Sequence, residues 1–464
     1  MALRRSPRLH PQTPVSGDGA GATRRRSSRL NPQIPIGEEG AGVTTRGRST
    51  RLHPQVHASE EVAGVTRHRH RRRGTSPASL PDDDDMLREI LMRLPPQPSS
   101  LLRASAVCKR WLRVATDPRF LRSFSARHRK PPLLGVFEHD LYDVAFAPML
   151  DPPDCIPPER FHIRQRFRKA DLLGCRHGRV LLVDRWTFIV WDPIAGEQHR
   201  VDSPRAFDMS DYFYGSVLCP AADQGRMHCS SHSSPFNLVL MSPRQGYKEG
   251  TPPIACVYSS EIGLWGNHIS TTDRCAFVQR NPGILVGNAI YWSSRSVSAE
   301  SHYLNLNELP DDIIEFDLDR QSLAVIKGPP GFTYSTTHQI IQVEGDALGL
   351  AILSHGRIEM WQRKISCHGA VTWFLQKTVQ IQTILGLPPQ VEGSIREVDI
   401  LGYDEDNGVM FLFVDTNVYM VQLMSMQSRK LYQRHYPNNC HPFASFYAPA
   451  IPGGCGGAEM LQDM

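Results

Sequence analysis

The first 80 residues of this 464-residue chain contain no Phe, Tyr, Trp or Lys. A segment without aromatic side chains has little to bury, so it is predicted to form no hydrophobic core. These residues hold fifteen Arg against five acidic residues, a net charge of +10, whereas residues 81–464 carry a net −5 and all seven Trp. The overall charge of +5 therefore combines a basic arm with an acidic body that can fold.

Long apolar runs are also missing. The longest are stretches such as Val409–Val414, far below the ~20 residues that a membrane-spanning helix needs. The charged start Met1–Pro7 has no apolar segment behind it, so neither a secretory signal nor membrane association is expected. The ten Cys are scattered along the chain, which predicts reduced thiols and no structural disulfide.

Signatures of catalysis are absent from the sequence: it has no Gly-x-Ser-x-Gly elbow, no Gly-x-x-x-x-Gly-Lys phosphate loop and no His-Glu-x-x-His zinc helix. The nearest metal-like group is Cys219, His228, Cys229 and His232, whose spacing suits no standard four-ligand site. The sequence therefore predicts a non-catalytic protein with no catalytic residue, no metal and no cofactor.

The basic arm repeats a short pattern, Arg-Leu-(His/Asn)-Pro-Gln, at Arg8–Gln12, Arg29–Gln33 and Arg51–Gln55. A repeat near 21 residues could form a solenoid, but solenoid units need apolar surface to stack on one another. Each unit here offers one Leu and a few Val or Ile, together with one or more Pro. We therefore expect residues 1–78 to be a disordered arm.

The arm ends in an arginine-rich run, 67–73, with candidate nuclear-signal residues Arg67, Arg69, Arg71, Arg72 and Arg73. A solvated tail without a specific role is the alternative, since basic tracts are common in disordered segments. The expected location is the nucleus, the cytoplasm or both.

Residues 79–125 have the pattern of three short helices. In the first, Met86, Leu87, Ile90, Leu91 and Leu94 form one apolar stripe, behind a start at Pro81 and four acidic residues, 82–85. Prolines 95 and 96 end this helix, Ser99 or Ser100 can cap the second, and a short third element ends at Pro118. A module this small buries too little surface to be stable alone, which indicates a partner or a neighbouring domain.

This segment resembles the F-box, whose pattern is Leu-Pro, a Leu/Ile helix ending near Leu-Pro, then Val-Cys-Lys-Arg-Trp and a Phe shortly after Asp-Pro. The matching residues are Leu80, Pro81, Ile90, Leu91, Leu94, Pro95, Leu102, Val107, Cys108, Lys109, Arg110, Trp111, Pro118 and Phe120. The resemblance implies binding to the Skp-type adaptor of SCF (cullin–RING) ubiquitin ligases. The residues that would make this contact are Leu80, Pro81, Ile90, Leu94, Val107, Cys108 and Trp111. The four consecutive Asp depart from the family's usual first turn.

Residues 130–450 change to the period-2 pattern of strands. Two apolar runs, 179–183 and 188–191, form a hairpin pattern. Asp192 and Asp317 lie at matching positions at the ends of strands, where hydrogen bonds to the backbone of the turn explain an aspartate better than catalysis does. Successive units start roughly 55 to 60 residues apart, near the ~50 residues of a kelch repeat. Several units begin at a glycine: Gly178, Gly287, Gly345 and Gly408. This spacing favours a divergent, kelch-like six-bladed β-propeller, with a large β-sandwich as the alternative.

The stretch 174–196 resembles the β-rich domain that follows the F-box in large cereal F-box families. This plant-family resemblance implies that the chain is the substrate-recognition subunit of an SCF ligase, in which the β-rich domain recruits a client protein. Residues 451–464 are expected to form a flexible tail. The alternative is a nuclear protein that associates with nucleic acid through its basic arm. The net −5 of the body disfavours nucleic acid as a partner.

Overall fold

The computed structural model describes residues 84–140, 143–161, 170–207, 213–219, 234–242, 252–273, 275–276, 281–296, 311–330, 332, 337–366, 368, 370–388 and 396–447. Residues 76–464 form one compact unit. The predicted disordered arm, its nuclear-signal arginines and the predicted flexible tail 451–464 lie outside the described residues and stay predictions. No helix in the described part of the chain is long and apolar enough to cross a membrane.

The described part of the first module contains four helices, one more than the sequence pattern indicated. They are α1 Asp84–Met92, α2 Pro98–Ser105, α3 Lys109–Ala115 and α4 Pro118–His128. The third helix ends just before Pro118, as expected, but the helical region continues beyond it, because Pro118 occupies the first turn of α4, where its missing N–H costs nothing. The Asp117 side chain caps this helix by accepting a hydrogen bond from the Arg119 backbone N–H at 2.9 Å.

The helices share a small core. It is made of Leu87, Leu91, Leu101, Ala104, Val114, Ala115, Phe120 and Phe124. The ring of Phe446, which lies far away in sequence, packs against this core and meets the ring of Phe124 edge-on at 6.4 Å. The Ser99 backbone N–H also donates to the Asp154 carboxylate at 2.9 Å. The neighbouring domain therefore supplies part of the surface that the small helical module buries.

Six antiparallel sheets follow the helices. Blade 1 holds β1 Leu133–Asp140, β2 Asp143–Pro148 and the last strand, β25 Cys440–Ala444; blade 2 holds β3 Asp171–Arg176, β4 Arg179–Asp184, β5 Thr187–Asp192 and β6 Glu197–Asp202; blade 3 holds β7 Tyr214–Leu218, β8 Asn237–Ser242, β9 Ile254–Ser259, β10 Leu264–Trp265 and β11 Ile269–Ser270. Blade 4 holds β12 Cys275–Ala276, β13 Ile284–Val286, β14 Ala289–Ser296, β15 Asp311–Asp317 and β16 Ser322–Lys327; blade 5 holds β17 Thr337–Val343, β18 Ala347–Ser354, β19 Arg357–Ile365 and β20 Val371–Gln380; blade 6 holds β21 Val398–Asp404, β22 Val409–Val414, β23 Asn417–Gln422 and β24 Ser428–Gln433. A short helix, α5 Ile381–Leu385, joins blades 5 and 6, and a 3-10 turn, Pro158–Phe161, precedes blade 2.

The sheets form a closed ring. Each adjacent pair of blades shares an apolar core: blades 1 and 2, 2 and 3, 3 and 4, the three blades 4 to 6 together, and blades 6 and 1. The ring is closed by pairing of β25 with β1, in which Val136 lies opposite Pro442. A sandwich has two packed sheets, so six sheets packed in succession confirm the six-bladed propeller and rule out the β-sandwich alternative.

The repeated glycines and aspartates lie at turns. Gly178, Gly287, Gly345 and Gly408 all have positive φ between the first two main strands of their blades, where a side chain would be strained. Asp192 accepts from two backbone N–H groups in the turn after β5, at 3.0 and 2.9 Å. Asp317 does the same after β15. Both roles match the expectation from sequence.

One cysteine contradicts the prediction of no disulfide. Cys219, directly after β7, is in a disulfide. His228, Cys229 and His232 also lie outside them. The scattered spacing of the cysteines gave no sign of this bond, because a disulfide depends on which thiols the fold brings together. In the described part of the chain, Cys108, Cys155, Cys175, Cys256 and Cys440 are free thiols.

Candidate adaptor-binding and client-binding surfaces

Helix α1 divides its apolar side chains between a buried and an exposed face. Leu87 and Leu91 are buried in the helical core, whereas Met86 and Ile90 are 54% and 40% exposed. At 100° per residue, Met86 and Ile90 lie only 40° apart, so they form one apolar ridge along the outside of the helix. An exposed pair of this kind on a small module is suited to contact with another protein.

The opposite flank of α1 is held by charge. Asp84 accepts from Arg110 at 2.7 Å and from Arg113 at 2.9 Å, and Arg88 reaches Asp117 at 3.4 Å. The hydrogen bond from Arg110, with Arg113 beside it, lowers the pKa of the Asp84 carboxyl. At least one of the four consecutive Asp therefore joins α1 to α3, and this leaves the ridge of Met86 and Ile90 free.

A second exposed apolar site lies at the turn between α2 and α3. Val107 is 55% exposed, and Cys108, which precedes the first turn of α3, is exposed as well. Because the charged flank of α1 faces α3, this turn and the ridge on α1 are separate parts of the module surface. Together they provide two points of apolar contact for a partner.

The sequence-predicted adaptor residues fall into three groups. Ile90, Val107 and Cys108 are exposed as a contact role requires, while Leu94 and Trp111 are half-buried and packed against the helical core. Leu80 and Pro81 lie outside the described residues. Met86 was not among the predicted contacts. Its position four residues before Ile90 on the same helix, which places both side chains on one face, could have identified it from the sequence. None of these contacts is tested by the unbound structure, so the set stays a prediction.

The propeller has its strongest polar cluster where its inner strands meet. The Arg176 guanidinium, at the end of β3, donates to Glu405 Oε2 at 2.8 Å, to the Gly283 carbonyl at 2.7 Å and to the Ser216 hydroxyl. Glu405 also accepts from the Leu285 backbone N–H at 2.8 Å. One buried ion pair thus links blades 2, 3, 4 and 6. Sequence reasoning missed it because the two charges are 229 residues apart.

A cavity of about 30 Å³ lies beside this ion pair and is lined by Asp404, Asp406 and His441, among others. Its size is that of one or two water molecules. Burial, together with a neighbouring acidic group, raises the pKa of Asp404 and of Asp406 to about 7. Burial lowers the pKa of His441 to about 3, so this imidazole is neutral at pH 7. Asp404 is engaged by the turn itself, accepting from Asp406 and Asn407, which indicates a structural role for the cluster.

In the described part of the chain, no group of three or more His, Cys, Asp and Glu is arranged to hold a metal ion.

Comparison with known proteins assigns the two modules. Residues 78–127 match the family described as F-box-like, and residues 171–451 match the family described as F-box protein AT5G49610-like, beta-propeller. The chain belongs to this family of F-box proteins with a β-propeller. It is 23% identical to F-box protein At5g49610 of Arabidopsis thaliana over 66% of this chain and 81% of the relative, and 19% identical to F-box protein At3g08750 of the same plant over 60% and 68%. A solved structure titled "Structure of Dos1 propeller" covers 65% of this chain and 69% of its own, with 7% identity and a TM-score of 0.29.

The plant F-box resemblance drawn from the sequence is thereby confirmed. An F-box indicates binding to a Skp-type adaptor, and proteins of this F-box and β-propeller family are typically non-catalytic adaptors. The two apolar sites on the helices and the surface of the propeller are the parts of the molecule through which such a subunit would act.

Proposed function

We propose that this protein is the substrate-recognition subunit of an SCF (cullin–RING) ubiquitin ligase. The F-box would bind a Skp-type adaptor and the propeller a client protein. The chain itself does no covalent chemistry in this proposal: it raises the effective concentration of client lysines near the charged conjugating enzyme. The location of the protein, in nucleus or cytoplasm, would depend on the basic arm.

The exposure of Met86, Ile90 and Val107 is the observation that supports adaptor binding most directly. Large apolar side chains are normally covered in a folded protein when they are clustered, and here they lie on the module that the family comparison assigns to the F-box. Support for the client-binding role is of a different kind. A propeller closed by its own terminal strands is a rigid body whose loops and edges are free to contact another protein.

The experiment is a binding titration of the full chain with a Skp-type adaptor. Met86→Lys with Ile90→Lys places two charges on the ridge of α1. We expect a loss of affinity of roughly 30- to 1,000-fold, because two central apolar contacts at about 1–2 kcal/mol each sum to ~2–4 kcal/mol. Val107→Lys tests the second site separately. The matched control is Ile262→Lys with Leu264→Lys, two apolar residues on blade 3 that are 69% and 64% exposed, more than Met86 and Ile90.

The exposed residues give a cleaner test than Leu94 and Trp111. Truncation of either half-buried side chain would weaken the helical core as well as any contact, so lost binding could reflect lost folding. Wild-type affinity in the Met86/Ile90 and Val107 variants would contradict the adaptor role. Equal losses in the blade 3 control would instead show that added charge acts non-specifically.

The location is tested by deleting residues 1–75. We expect this deletion to leave adaptor binding unchanged and to lower nuclear accumulation, since it removes the candidate signal at 67–73. An unchanged distribution would count against the signal. The alternative function, association with nucleic acid, would require the same deletion to abolish a salt-sensitive interaction with DNA or RNA.

A further inference from the structure

The outer strand of blade 5 differs from the outer strands of the other blades. β20 has ten residues, whereas β6, β16 and β24 have six each. It contains no Pro and no Gly, and Lys377 is its one charged residue. In the described structure β20 pairs with β19 and with no further strand. A long outer strand with few charges is the kind of edge to which another extended segment can add.

The hairpin of β19 and β20 extends beyond the rest of its blade. β19 pairs with β18 only as far as Gln362, while its pairing with β20 continues to Ile365, which lies opposite Val371. The extension is anchored rather than loose, because the Trp373 indole N–H donates to the Lys327 carbonyl of blade 4 at 2.9 Å. The edge is therefore held in place before any partner arrives.

The two faces of the hairpin have different chemistry. Because side chains alternate along a strand, the paired residues Ile365 and Val371 share one face with Leu375, and these three side chains are 63%, 45% and 46% exposed. The half-buried Arg363, paired with Trp373, lies on this face as well, between the exposed apolar side chains. The opposite face carries Lys364 and Lys377. The Lys364 ammonium group lies over the Phe374 ring, 4.3 Å from its centre.

The charge of this hairpin is opposite to that of the body. Residues 357–380 hold four basic residues and one acidic residue, although residues 81–464 as a whole carry a net −5. The single acid, Glu359, pairs with Arg357 at 3.1 Å, so the lysines are not offset within the hairpin by other acids. A basic face on an acidic body favours an acidic partner.

We propose that β20 docks an extended client segment as a fifth strand of blade 5, and that this segment alternates apolar with acidic residues. Main-chain hydrogen bonds along the edge would supply affinity. The apolar side chains would cover Ile365, Val371 and Leu375, and the acidic ones would meet Lys364 and Lys377 across the other face. The inference rests on the proposed client-binding function and names the surface and the chemistry of the client.

The test is selection of a phage-displayed library of random twelve-residue peptides on the full-length protein. We expect the enriched peptides to alternate apolar and acidic residues. Their affinity should fall at least 10-fold with Val371→Lys plus Leu375→Lys, and also with Lys364→Glu plus Lys377→Glu. The latter variants should in turn accept peptides whose acids are replaced by lysine. The control is again Ile262→Lys with Leu264→Lys on blade 3, and melting curves check that every variant is folded.

Three outcomes would overturn the proposal. The enriched peptides could lack the alternation, they could bind the variants as well as the wild type, or wild-type protein could dimerise in a way that Leu375→Lys abolishes, which would assign the edge to a second copy of this chain. Adaptor titration of the same variants separates this site from the proposed function. If the β20 variants bind the adaptor with normal affinity but no longer bind the peptides, the edge is the client site. If the wild-type chain binds the peptides but not the adaptor, the ligase role alone is refuted.

Discussion

Replacing Arg176 with Met would remove the charge that links four blades and leave Glu405 behind. The two side chains are only 6% and 17% exposed, so the remaining carboxylate would be unpaired in a largely buried site. Breaking such a pair from one side typically costs about 3–5 kcal/mol. For a propeller of roughly 320 residues, an unfolding entropy of ~2.1 cal/mol/K per residue gives ~0.7 kcal/mol/K, so a loss of ~4 kcal/mol lowers the Tm by about 6 °C.

Thermal unfolding followed by circular dichroism, with urea titration followed by tryptophan fluorescence, measures this change. The double variant Arg176→Met with Glu405→Leu should be more stable than Arg176→Met alone, because no unpaired charge is then left in the ring. The control is Arg429→Met, whose ion pair with Asp151 at 3.0 Å is exposed on both sides, 49% and 78%, and a surface ion pair contributes about 0–1 kcal/mol. A change in Tm below about 1 °C for Arg176→Met, or strictly additive losses in the double variant, would refute the role of the ion pair in joining the blades.

Two further predictions concern the same inner end of the blades. Burial raises the pKa of the Asp406 carboxyl to about 7, so between pH 4 and 7 the native protein holds a proton that the unfolded chain releases. The stability of the wild type is therefore lost as pH rises through that pKa. Asp406→Asn should increase the free energy of unfolding most above about pH 7, and this gain should shrink as pH falls toward 4. Urea titrations at pH 5 and pH 8 check this, and an equal gain at both would contradict it. Gly178→Ala should destabilise the protein more than Gly408→Ala. Both glycines have positive φ, but only at Gly178 would the new methyl carbon lie 2.6 Å from the Ser445 hydroxyl oxygen. Equal decreases in Tm for the two variants would show that this contact relaxes without cost.

Much of the fold could be predicted from local sequence patterns. The stripe on α1, the hairpin 179–191 and the turn glycines each depend on residues close in sequence, and all were predictable from it. Pro118 was ambiguous, because the same residue can end one helix or begin the next, and only the cap at Asp117 decides. Blade number followed from the spacing of repeats.

Features that depend on distant residues could not be predicted. The pairing of Arg176 with Glu405 joins strands of different blades, so neither local sequence contains a sign of it. The unusual length and exposure of β20 are visible only when it is compared with the outer strands of other blades. The sequence also could not show which motif residues are exposed to a partner. Trp111 and Val107 belong to one motif, but Trp111 packs against the helical core and only Val107 is largely exposed.

The last strand has a consequence for how the protein is made. β1 leaves the ribosome about 300 residues before β25, so during synthesis the ring stays open until residues 440–444 arrive. Two residues later Phe446 fills its place against the helices. The same few residues thus close the propeller ring and complete the packing of the helical core, so a chain that stops before residue 440 leaves both unfinished.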